Sequence, residues 1–180
     1  MNDTITGESS MQEVLQIFPG AQRALFRKYH IGGCSSCGFR PDETLAGVCE
    51  RNGDLPVGEV LEKIQQSHDE DARILLEPAD LAKRLAKGEN IRLVDIRSRE
   101  EFEAVHIEDA VLLTQPLMQE ILGSWDNEQR FVMIDHQGQK GLDAAAYYLG
   151  HGMPNVHALR GGIDAWSLEV DSSIRRYTLS

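Results

Sequence analysis

The sequence predicts an α/β unit built on a mostly parallel sheet, preceded by a small all-α unit. Three observations carry this. From residue 73 onward, short apolar runs (73–76, 92–96, 111–113, 130–134 and 155–159) alternate with segments of helical spacing. Up to about residue 65, apolar residues instead recur every three or four positions. Between the two, Gln65-Gln66-Ser67-His68-Asp69-Glu70-Asp71 is polar, acidic and without period. The expected organisation is a helical unit over 1–66, a linker over 67–72 and the α/β unit over 73–180.

In the first unit, Met11, Val14, Leu15 and Phe18 define one helix, which Pro19-Gly20 ends. Ala21, Ala24, Leu25 and Tyr29 define a second, stopped by Gly32-Gly33 before the loop Cys34-Ser35-Ser36-Cys37-Gly38. Pro41 suits the first position of a third helix, with Asp42 and Glu43 in its first turn. Leu45, Val48 and Cys49 form its apolar face, and Gly53 ends it. Val57, Val60, Leu61 and Ile64 mark a fourth helix, whose tail runs into the polar linker. In the second unit a helix over 78–87 is closed by Gly88. In parallel α/β sheets, sites form at the carboxyl ends of strands. That directs attention to Asp95-Ile96-Arg97 and to Asp135 onward.

Net charge is −11, and acids outnumber bases in both parts: 12 to 6 over 1–71, 17 to 12 over 72–180. No basic face is left for phosphate backbones, which argues against nucleic-acid binding. No apolar run approaches the roughly 20 residues of a membrane span. The opening residues have neither a basic start nor an apolar stretch, which predicts no secretory leader and a cytoplasmic location. Three cysteines, an odd number, argue against a disulfide framework and toward thiol chemistry, metal binding or burial.

Leu93-Val94-Asp95-Ile96-Arg97, Glu100-Glu101-Phe102-Glu103, His106-Ile107 and Ala110 resemble the first signature of the rhodanese family. Gly161-Gly162-Ile163-Asp164-Ala165-Trp166, after Val156-His157-Ala158-Leu159, resembles the closing one. The likeness spans roughly 73–170 and implies a rhodanese-like α/β fold. It further implies an active-site loop after a central strand, where a cysteine accepts sulfane sulfur as a persulfide. Amides at the following helix N-terminus would lower that thiol's pKa. Here the strand Phe131-Val132-Met133-Ile134 leads to Asp135 at the nucleophile position. The loop continues His136-Gln137-Gly138-Gln139-Lys140-Gly141, with the next helix expected near Leu142. Lys140 falls where the family often has arginine, and Gly141 where it often has serine or threonine. No cysteine follows residue 49. A carboxylate cannot carry sulfane sulfur, so thiosulfate sulfurtransferase activity is not expected, and Asp135 reads as an anion held by the loop amides. His106 reads as a structural histidine and His136 as an exposed loop residue, the better functional candidate of the two. Trp166, Tyr147 and Tyr148 read as core.

The first unit resembles a small helical domain of unknown function found in bacterial proteins, on Phe18-Pro19-Gly20, Tyr29-His30-Ile31-Gly32, the Cys-x-x-Cys loop and Thr44-Leu45. A more distant likeness is to the N-terminal segment of di-iron proteins that repair iron–sulfur clusters. Cys34 and Cys37 lie just upstream of a helix start, an arrangement that depresses thiol pKa. They suit disulfide exchange, persulfide carriage or metal binding, whereas Cys49 reads as a buried thiol. With His30 and Cys49 the pair could hold zinc or an iron–sulfur cluster, though no cofactor is required. The expected function is a non-catalytic rhodanese-like protein of bacterial sulfur or redox metabolism. Its dithiol carries the chemistry, and its second unit binds an anion or another protein of sulfur or iron–sulfur metabolism. The alternatives are an interaction or sensing module with metal at the cysteines, and a sulfurtransferase that uses Cys34 or Cys37.

Overall fold

The computed structural model describes residues 4–32 and 38–178, and the chain divides into two compact units, Met1–Ala72 and Arg73–Ser180. In the first, α1 (Met11–Ile17) is started by Ser10, whose side chain accepts from the Glu13 amide while Glu13 reaches back to the Ser10 amide. The second helix, α2 (Ala21–Tyr29), ends at His30 in the left-handed conformation. Helix α3 (Leu45–Arg51) starts later than Pro41 suggests. The Thr44 hydroxyl caps it by accepting from the Gly47 amide, 3.1 Å away. The Pro41 and Glu43 carbonyls are occupied elsewhere, by the Gln12 and Met11 amides that open α1. Met11, Val14, Leu25, Leu45, Val48, Val60 and Ile64 make the core, joined by Cys49 at 2% exposure.

Residues 67–72, expected as a linker, are instead helical: α4 runs unbroken from Val57 to Ile74. Tertiary anchors within the unit account for this, despite the polar composition. Asp71 is buried and ion-paired with Arg23. His68 lies edge-on to Phe18 at 5.1 Å between ring centroids. Gln65 bonds Asp69 one turn on, at 3.0 Å. The run 73–76 accordingly keeps only Leu75 and Leu76 for strand β1.

The second unit continues with α5 (Pro78–Ala86), β2 (Ile91–Asp95), α6 (Arg99–Ala104), β3 (Val111–Leu112) and α7 (Gln115–Gly123). It is completed by β4 (Arg130–Ile134), α8 (Gln139–Gly150), β5 (Val156–Leu159) and α9 (Gly162–Glu169). The strands form one parallel sheet in the order β1-β5-β4-β2-β3. Along β4 the side chains alternate between two cores. Phe131 and Met133 join Val94, Ile121, Ala145 and Tyr148 on one face, while Val132 and Ile134 join Leu81, Ile163 and Trp166 on the other. Tyr147, expected in the core, is 47% exposed and stacks on His151 one turn on, while its neighbour Tyr148 is the buried member of the pair. In register, Asp95 of β2 lies beside Ile134 of β4, so both carboxyl ends singled out from the sequence fall side by side.

Replacing Asp71 with alanine leaves Arg23 charged in a mostly buried position. The expected cost is about 3 kcal/mol of stability in urea unfolding, with new protease sensitivity over 67–72. An unchanged midpoint and an uncut helix would contradict the anchoring role given to this pair.

Candidate active-site loop

Strand β4 ends at Ile134, and the chain turns into α8 within the four residues 135–138. The helix begins at Gln139, earlier than Leu142, so Gln139, Lys140 and Gly141 form its first turn and not a loop. The early start is possible because Gly138 takes the cap position with φ +96°. A Cβ there would also lie 2.7 Å from the Gly161 amide nitrogen.

This geometry gathers amides around one side chain. The Asp135 carboxylate accepts from the Gly138 amide at 2.7 Å and the Lys140 amide at 2.9 Å. The Gly141 amide is a third donor. A side chain at Gly141 would crowd this group, its Cβ lying 3.0 Å from Asp135 Oδ1. The Lys140 side chain is exposed, so this residue contributes to the cradle through its backbone. The main chain of the loop is held from the other side. The Asp135 and His136 carbonyls accept from the Ile163 and Asp164 amides at the start of α9, at 2.9 and 3.1 Å. Gly162 permits that approach, since a Cβ on it would lie 2.4 Å from the Asp135 carbonyl oxygen.

Asp135 is only 4% exposed. Burial raises its pKa above the ordinary carboxylate value, and the amides of Gly141, Gly138 and Lys140 pull in the opposite direction without overcoming it.

The carboxyl end of β2 supplies the neighbouring wall. Arg97 donates to the buried Asp95 through Nε at 3.0 Å and Nη2 at 2.6 Å, and to the Val105 carbonyl at 2.7 Å. Its Nη1 donates to the Tyr177 hydroxyl at 2.9 Å. That hydroxyl in turn donates to Glu101 at 2.6 Å. Burial and the Glu101 carboxylate push the Tyr177 hydroxyl up to about 12, so it remains a donor at neutral pH. Tyr177 also stacks on His136, with ring centroids 4.3 Å apart and planes 20° apart. His136 Nε2 lies 2.9 Å from the Tyr177 carbonyl oxygen, which fixes it as the protonated nitrogen.

His136 is therefore not an exposed loop residue; it is 9% exposed beneath Tyr177. The sequence reading missed Tyr177. The available signal was an apolar and an aromatic residue, Ile174 and Tyr177, within the otherwise polar run 171–178 after α9. His106 stands apart, stacked on Phe102 with Nδ1 on the Phe102 carbonyl at 2.8 Å.

Of the thiol and metal candidates, Cys34 and Cys37 lie outside the described residues. Cys49 is a free thiol in the first core, its pKa raised by burial. His30 is exposed at the end of α2. Among the described residues no group of three or more His, Cys, Asp or Glu side chains is arranged for a metal. No helix among them is long and apolar enough to cross a membrane.

Fold and loop together define an α/β protein whose candidate site is an amide-lined turn between a central strand and its following helix. The model of the rhodanese-like domain matches residues 77–169, just over half of the chain, and the chain belongs to that family. It is 31% identical over 74 residues to the thiosulfate sulfurtransferase GlpE of Pseudomonas savastanoi pv. phaseolicola, covering 41% of this chain and 70% of that protein. Identity to GlpE of Shewanella oneidensis is 28% over 82 residues, or 46% and 81% of the two chains. Among solved structures, it is similar to the human single-domain sulfurtransferase TSTD1 (23% identity, 53% of this chain and 96% of that one, TM-score 0.48). It is also similar to a rhodanese-like domain protein from Staphylococcus aureus (20% identity, 58% and 98%, TM-score 0.45). The fold is that of the sulfurtransferase family, consistent with sulfur metabolism.

The raised Asp135 pKa has a definite sign in stability. The folded state binds this proton more tightly than the unfolded chain, whose value is about 3.9. Its contribution is present below that value and is lost as pH rises through the folded pKa. The stability of the native protein relative to Asp135→Asn should therefore fall as pH rises from about 3.9. Paired urea titrations across this range check it; a difference that grows with pH would mean the amides outweigh burial.

Proposed function

We propose that this chain is a non-catalytic member of its family, acting in bacterial sulfur or redox metabolism. In this reading Cys34 and Cys37 carry the thiol chemistry, and the rhodanese-like unit docks a partner protein of the same metabolism. The observation that carries the proposal is the Asp135 carboxylate bonded to the Gly138, Lys140 and Gly141 amides. Asp135 follows the central strand, at the position where the family resemblance puts the persulfide-forming cysteine. A persulfide needs a nucleophilic sulfur, and this unit has none, since all three cysteines precede residue 50. An anion also meets a cradle whose donors already hold the protein's own carboxylate. That favours docking of a partner over binding of a free anion.

The purified protein is expected to form no thiocyanate from thiosulfate and cyanide above background. Turnover that survives Cys34→Ser together with Cys37→Ser would overturn the proposal. Treatment with a sulfide donor, followed by peptide mass mapping, locates the dithiol's role. A one-sulfur increment on Cys34 or Cys37 supports carriage, whereas metal bound to the isolated protein supports the sensing alternative.

Glycine and serine neighbours give Cys34 and Cys37 the backbone freedom that a close bridge demands. Mild oxidation is therefore expected to remove two thiols and leave the buried Cys49 reduced. Loss of all three, or dimers alone, would contradict the assignment.

A further inference from the structure

Residues 170–178, after α9, contain no helix or strand, and their hold on the rest of the unit changes along the segment. Ile174 is buried, and its carbonyl accepts from the Ser167 hydroxyl at 2.6 Å, which fixes that point to α9. Beyond it, Arg175 and Arg176 are exposed. The next attachments are Arg176 to Asp164 at 2.7 and 3.0 Å, the Tyr177 side chain to His136, Arg97 and Glu101, and the Tyr177 carbonyl to the His136 ring. Tyr177 lies over the first residue of the Asp135 loop and bridges it to the carboxyl end of β2. It contributes three different recognition elements at once: a ring face, a hydroxyl and a carbonyl.

We infer that residues 175–177 form an intramolecular cover over the loop, hinged at Ile174, which must lift before a partner can reach His136 and the Asp135 turn. This rests on the reading of that loop as the docking face and adds its regulation. The physical case is the contrast in attachment. The Asp135 turn is fixed by backbone bonds on two sides and by glycine contacts that admit no alternative. The cover is attached through an exposed ion pair, a few hydrogen bonds to polar side chains that water can replace, and one ring, that of Tyr177, which stacks on His136 and packs against the core as a half-buried side chain. Such segments open locally at far lower cost than the sheet beneath them. When the cover lifts, Arg97 keeps its bonds to Asp95 and Val105, Glu101 keeps its capping bond from the Ser98 amide, and His136 gains a free ring face. No buried charge is thereby stranded.

Carbethoxylation by diethylpyrocarbonate, mapped by peptide mass, reads the cover on the intact chain with no partner present. His136 in the native protein should react more slowly than exposed His106 and His151. In Tyr177→Ala the His136 rate should rise about tenfold, as for removal of a local protective contact, with half-buried His157 of β5 unchanged. Tyr177→Phe, which keeps the ring and loses the hydroxyl bridge, should give a smaller rise. An unchanged His136 rate in Tyr177→Ala would overturn the inference. So would a parallel rise at His157 in both variants, because the segment would then be part of the fold's foundation. Because labelling needs neither partner nor sulfur donor, its outcome is separate from that of the docking proposal.

Discussion

Around Asp135 the second unit resolves one electrostatic conflict. A carboxylate taken out of water at the end of a central strand is costly unless donors replace its hydration. The cap residue and the first turn of α8 provide them, because the opening amides of a helix have no partners within it. Three of these converge on the carboxylate, so the side chain acts as the helix's cap from outside the conventional cap position. The consequences spread outward. Gly138 takes a left-handed conformation at the early helix start, Gly141 leaves room that a Cβ would crowd beside the carboxylate, and Gly162 lets the loop carbonyls reach α9. Three of the glycines around this turn thus answer to one buried group.

The second constraint is the ion pair of Asp95 and Arg97, almost wholly buried at the adjacent strand end. Such a pair contributes little net stability, because the desolvation of both charges offsets their attraction. Its value here is positional. Arg97 forks between Asp95, the Val105 carbonyl and Tyr177, which orients the chain leaving β2 and gives the Tyr177 hydroxyl a donor. Glu101 links the same network to α6: besides capping that helix through the Ser98 amide, it accepts the Tyr177 hydroxyl. Burial would raise its pKa, but the bonds from Tyr177 and Ser98 hold it below the ordinary value.

Of the thiols in the first unit, Cys49 is the one among the described residues. Cys49 sits in a dry core, where burial raises its pKa and suppresses the thiolate on which reactivity depends. Cys34 and Cys37 stand in a stretch of glycine and serine that offers no apolar cover in sequence.

Much of this was legible in the sequence, because periodicity reports which face of an element is buried. The alternation along 130–134, the stripe through Met11 and Val14, the burial of Cys49 and the paired strand ends at Asp95 and Asp135 all follow from local pattern. The rhodanese-like fold followed from motifs whose order and spacing only a particular sheet satisfies. What the sequence could not decide were contacts made at long range. Residues 67–72 look like a linker because they are polar, yet Arg23, 48 residues before Asp71, makes them a helix. His136 looks exposed because its neighbours are small and polar, yet Tyr177, 41 residues on, covers it. The start of α8 moved forward because an acceptor outside the helix took up its first amides. In the first two cases the deciding partner is distant in sequence, and nothing in the local residues encodes where the fold will bring it. In the third the acceptor, Asp135, is close in sequence, and what local pattern leaves open is how the turn orients its amides.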